Sequence, residues 1–94
     1  MRELKVIIAY DIADDRRRRE LFKMLGAFGI NVQYSFFEIA ITPQKFVRLK
    51  NKIKKLLDKT EDKIVFIQLC EGCWRRVERW GYEEPKFFDN TIIL

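Results

Sequence analysis

Near the start of the chain, Leu4 to Tyr10 (LKVIIAY) is an apolar run rich in β-branched side chains. A run of that length and composition is a strand buried on at least one face, so Asp11, which closes it, stands at a strand's carboxyl end. The period then changes. Leu21, Phe22, Met24, Leu25 and Phe28 recur at helical spacing. Asp14 and Asp15 precede them, where a carboxylate caps free N–H groups and meets the positive end of the helix dipole, and Gly29 supplies a stop. From Asn31 to Ile41 (NVQYSFFEIAI) polar and apolar positions alternate, but the phase slips. Val32, Tyr34 and Phe36 share one parity and Phe37, Ile39 and Ile41 the other, which predicts two short strands meeting at a bend or bulge.

Thr42-Pro43 is a cap followed by proline at the first helical position, and the apolar stripe Phe46, Leu49, Ile53, Leu56 and Leu57 predicts a second helix running to about Lys59. Lys63 to Leu69 (KIVFIQL) is a further strand, and the terminal TIIL is assigned as a last one. The order β-α-β-β-α-β plus a tail is that of an α+β, ferredoxin-like split βαβ sandwich, one sheet backed by two helices, with an additional C-terminal strand. At 94 residues there is room for a single domain spanning 1–94.

Composition changes the picture in two ways. Nineteen Lys and Arg against 14 Asp and Glu give a formal charge of +5, a balance that suits an anionic partner. The absence of any histidine excludes Ser-His-Asp and Cys-His catalysis and His-ligated metals, so an activity has to rest on carboxylates, lysines, hydroxyls or thiols. No apolar run reaches membrane-spanning length, no signal-peptide pattern is present and the two cysteines are too few for a disulfide framework, which together lead to an expectation of a cytoplasmic protein.

The positive charge is placed unevenly. Lys45, Arg48, Lys50, Lys52, Lys54, Lys55 and Lys59 stand on the second predicted helix against one acid, Asp58. Arg48, Lys52, Lys55 and Lys59 fall on one face, opposite the apolar stripe, without the interleaved Glu that a merely solvated face normally carries. Phosphate contact is the reading this pattern favours. Arg16, Arg17, Arg18 and Arg19 form a second cluster in the first turn of helix one, where cations oppose the helix dipole. Pairing with Asp14, Asp15 and Glu20 is the plain explanation, and bidentate phosphate contact is the functional one.

Asp11 lies where α/β sheets place ligands, although a turn aspartate bonding its own backbone has the same signature. Mg²⁺ commonly keeps several waters and takes only one or two protein carboxylates, and a two-fold axis bringing two Asp11 side chains together would supply the second. Cys70 and Cys73 form a CxxC after a strand, the pattern of a redox site or of half a zinc site, but zinc needs two further thiolates and a redox site a following helix N-terminus, and these cysteines are read as buried or incidental thiols.

Together VIIAYDI ending on Asp11, the Arg-rich RRRRELFKMLGAFG and the block QYSFFE resemble the CRISPR-associated endoribonuclease family Cas-two. The likeness extends over essentially the whole chain, and the family pattern Gln-x-Ser-x-Phe-Glu is matched by Gln33, Ser35, Phe37 and Glu38. The resemblance implies a homodimer in which Asp11 of both chains share a Mg²⁺ or Mn²⁺ ion. It implies a C-terminal strand that pairs with the partner's sheet, and association with the CRISPR integrase Cas-one beneath double-stranded DNA.

Two functions follow from it: a metal-dependent endonuclease acting on single-stranded RNA or double-stranded DNA, with Asp11 catalytic and metal-binding, or a non-catalytic DNA-binding bridge in the spacer-integration complex. A VapD-like RNA-cleaving toxin would share the fold and the dimer.

Overall fold

In a computed structural model the residues described are 3–33, 35–78 and 80, those at 30–33 by their backbone alone. Strand β1 spans Leu4–Asp11, helix α1 Asp15–Gly26, strand β2 Gly29–Gln33, strand β3 Phe36–Ile41, helix α2 Pro43–Leu56, strand β4 Lys63–Leu69 and a short helix α3 Glu71–Arg75. The four strands form one sheet in the order β2-β3-β1-β4, every neighbouring pair antiparallel. This is the expected split βαβ sandwich; the terminal TIIL lies outside the described residues.

Alternation along β1 separates two faces of the sheet. Val6, Ile8 and Tyr10 are buried and join Phe37, Ile39 and Ile41 of β3, Leu21 and Leu25 of α1, and Phe46, Leu49 and Ile53 of α2 in one core. The phase slip read between Asn31 and Ile41 is a real irregularity, a register shift between Asn31 and Gln33 in the β2–β3 ladder. Phe37 sits at the middle of the core, its ring 5.3 Å from that of Phe22 edge-on and 6.3 Å from that of Tyr10. Truncating it by Phe37→Ala leaves a void too deep for the sheet to close. The expected loss is about 3–5 kcal/mol, read as a lower midpoint of urea unfolding at unchanged slope.

Both helices begin as their sequences require. The Asp14 carboxylate accepts the Arg17 N–H at 2.9 Å, which also holds that carboxyl below its usual range, and Thr42 Oγ1 accepts from Lys45 with Pro43 in the first turn. Their ends differ from expectation. Ala27 caps α1, and Gly29 instead opens β2, where a Cβ would run into the Glu38 carbonyl and the Ile39 backbone. α2 stops at Leu56 rather than near Lys59, because Leu57 turns extended and the next N–H, that of Asp58, is taken by the Asp62 carboxylate at 2.9 Å.

Candidate metal and nucleic-acid site

Asp11 is the last residue of β1, and its parity places it with Lys5, Ile7 and Ala9 on the face of the sheet turned away from α1 and α2. It is exposed, and its side chain makes no hydrogen bond or ion pair among the described residues. Across the ladder its register partner is Lys63, the first residue of β4. The same face continues with Val65 opposite Ala9 and Ile67 opposite Ile7, and Val65 and Ile67 are 55% and 45% exposed. Asp11 thus stands at the end of a sheet face on which Val65 and Ile67 of β4 are exposed, while Glu38 of β3, opposite Ile7, is buried.

The strand end is held rigidly from both sides. On the β3 side the Tyr10 N–H donates to the Ser35 carbonyl at 3.1 Å, and burial pushes the Tyr10 hydroxyl above its usual range. On the β4 side a single buried carboxylate does the holding. Asp62, with a fully buried side chain, accepts from the Ala13 N–H at 3.0 Å, from Arg17 Nε at 2.8 Å and from the Asp58 N–H at 2.9 Å. The Arg17 guanidinium, followed by the backbone N–H groups of Asp58 and Ala13, lowers this carboxyl to about 2. Asp62 therefore ties the loop after Asp11 and the start of α1 to the loop before β4.

This clasp sorts the arginine cluster. Arg17 is committed to Asp62 and to Glu61 at 3.2 Å, and Arg18 pairs with Asp15 at 2.6 Å and donates to the Ile12 carbonyl at 3.1 Å. Arg16 and Arg19 are exposed and form no salt bridge among the described residues. The stripe expected along α2 is divided. Arg48 and Lys52, with Lys45, rim a depression of about 380 Å³ between α1 and α2, floored by Met24, Ala27, Phe28 and Leu49. Lys59 has left the helix and lines, with Lys50, Lys54 and Lys63, a second depression of about 540 Å³ between α2 and β4. Lys55 is exposed on α2.

Residues 4–77 match the family described as CRISPR associated protein Cas2. The chain is 43% identical, over the full length of both, to the CRISPR-associated endoribonuclease Cas2 of Thermus thermophilus. The chain belongs to the Cas2 family. Its fold superposes on Streptococcus pyogenes Cas2 with a TM-score of 0.73 at 33% identity, covering 82% of this chain and 99% of that one. It also superposes on a chain of a partial Cas6-RT-Cas1–Cas2 complex with a TM-score of 0.67 at 27% identity, covering 79% and 87%.

Within this Cas2-family chain the block Gln33, Ser35, Phe37, Glu38 is the hairpin that supports the end of β1. Ser35 works through its carbonyl, Phe37 is core, Glu38 is buried opposite Ile7, and Gln33 pairs with Phe36 along the backbone. Sequence reasoning missed Asp62 and Lys63. Lys63 carried a signal, as a cation opening a strand at the same sheet end as Asp11; Asp62 carried none. No group of three or more Cys, Asp or Glu side chains able to hold a metal occurs among the described residues, so this chain alone offers Asp11. An exposed carboxylate is the hard oxygen donor that Mg²⁺ or Mn²⁺ accepts, and it fits an ion that keeps most of its waters. The cysteines are not buried: both thiols are exposed. No helix among the described residues is long and apolar enough to cross a membrane.

Proposed function

We propose that this protein is a homodimeric, metal-dependent endonuclease of the CRISPR adaptation machinery, in which Asp11 of each chain holds a shared Mg²⁺ or Mn²⁺ and the free cations bind the nucleic acid. The observation that carries the reading is the position of Asp11. Among the described residues it is a carboxylate without a hydrogen-bond or ion-pair partner, on a strand end fixed from both sides and on the same face as the exposed Val65 and Ile67. A second copy covering Ile7, Val65 and Ile67 by a two-fold operation brings a second Asp11 to the same end of that face, completing a donor set that one chain lacks.

When bound, the ion supplies a water of lowered pKa and neutralises charge developing on the phosphate. The protein's own part is to orient. Asp62 and Ser35 fix the backbone on which Asp11 stands, and the exposed Arg16 and Arg19 at the start of α1 offer bidentate donors to phosphate. Single-stranded RNA and double-stranded DNA are the substrates proposed, and the likeness to a chain of a Cas1–Cas2 assembly supports Cas1 as partner.

The second reading, a DNA-binding bridge without catalysis, is favoured by the sparse donor set. Both readings need the basic face of α2. Replacing Arg48, Lys52 and Lys55 together by Gln is expected to weaken DNA binding and to reduce the slope of log K against log salt by about 2 to 3. An unchanged slope would remove this face from the interface. Lys59→Gln, tested separately, reports on the depression beside β4.

A further inference from the structure

Among the described residues, Cys70 and Cys73 are a chemistry-bearing pair that this function does not use. Cys70 follows the last residue of β4 and caps α3, and both side chains are exposed. The Cys73 N–H donates to Cys70 Sγ at 3.3 Å. The two cysteines are thus adjacent at the start of α3 and unequal: Cys70 Sγ accepts a backbone donor from Cys73. The backbone N–H and thiol of Cys73 draw the Cys70 thiol below its ordinary range, while hydrogen bonding to Cys70 and its negative sulfur push Cys73 above it.

We propose that Cys70 and Cys73 form a dithiol redox site that exchanges with small-molecule disulfides, Cys70 as the attacking thiol and Cys73 as the resolving one. The Cys70 thiolate attacks one sulfur of the disulfide, forming a mixed disulfide and expelling a thiolate. That thiolate or solvent takes the Cys73 proton. Cys73 then attacks Cys70 Sγ, closing the intramolecular disulfide and expelling the second thiolate. The protein gives up two electrons and two protons, and one small-molecule disulfide becomes two thiols. The site lies at the end of β4 opposite Asp11, since Leu69 pairs with Lys5 while Lys63 pairs with Asp11, so its chemistry is separable from nucleic-acid cleavage.

The test is reaction of the full-length protein with oxidised glutathione at neutral pH, followed by mass spectrometry, with Cys70→Ser and Cys73→Ser beside it. Wild type is expected to lose two hydrogens without retaining an adduct. Cys73→Ser is expected to stop at a glutathione adduct, and Cys70→Ser to react at least about fivefold more slowly than Cys73→Ser. Equal rates for the two variants, or a wild-type protein that accumulates the mixed disulfide or only cross-linked chains, would overturn the assignment.

Discussion

Asp62→Ala is expected to destabilise this protein more than any replacement of an exposed charge, lowering Tm by roughly 10 °C or more. The reason is the number of donors that converge on one buried carboxylate. Without it the Ala13 and Asp58 N–H groups lose their acceptor, and Arg17, only 16% exposed, keeps Glu61 alone. Asp62→Asn retains the shape but not the charge and is expected to fall between wild type and Ala. The same carboxylate gives the acid limb of stability its sign. Its folded value of about 2 lies below the ordinary 3.8, so its contribution is complete above about pH 4 and is lost as pH falls through 2. Asp14 and Asp58, also drawn down by their hydrogen bonds, act in the same direction. Thermal melts from pH 6 to pH 2 check this: the wild-type curve falls steeply, and the Asp62→Asn curve falls less.

Asp11→Ala is expected to abolish cleavage, by about 100-fold or more, and to leave the fold and salt-sensitive nucleic-acid binding in place. The two effects separate because of where the side chain stands. It supports nothing within the described chain, so its removal should shift stability by no more than about 0.5 kcal/mol. The cations proposed to bind phosphate lie on α1 and on α2, whose inner faces pack on the opposite side of the sheet from Asp11. Calorimetric melting and a binding isotherm at two salt concentrations establish that the variant is folded and competent to bind. Collapse of binding together with cleavage would mean that Asp11 organises the interface rather than the ion.

Much of this architecture was legible in the sequence because the signals were local. The β-branched run that ends at Asp11, the Asp14 and Thr42 caps and the helical stripes of α1 and α2 depend on residues within one or two turns of one another. The features that escaped depend on contacts across the chain. Nothing near Leu57 says that α2 ends there, since lysines and Leu57 continue a helical pattern; Asp62 ends it by capturing the Asp58 N–H. Arg17 looked equivalent to its three neighbours until a carboxylate 45 residues away claimed it. Gly29 resembled a helix stop, whereas β3 requires it by close approach of backbone. The candidate site was readable to the extent that it sits on β1. Its support from Ser35, Asp62 and Lys63 is tertiary.

The measurement that bears most directly on the central claim is cleavage of labelled single-stranded RNA and double-stranded DNA by the purified protein with Mg²⁺, Mn²⁺ or EDTA, beside Asp11→Ala. The account predicts cutting of at least one substrate with either metal, none in EDTA and none by the variant. Cutting that persists in EDTA or in Asp11→Ala, or binding without cutting under every condition, would contradict it.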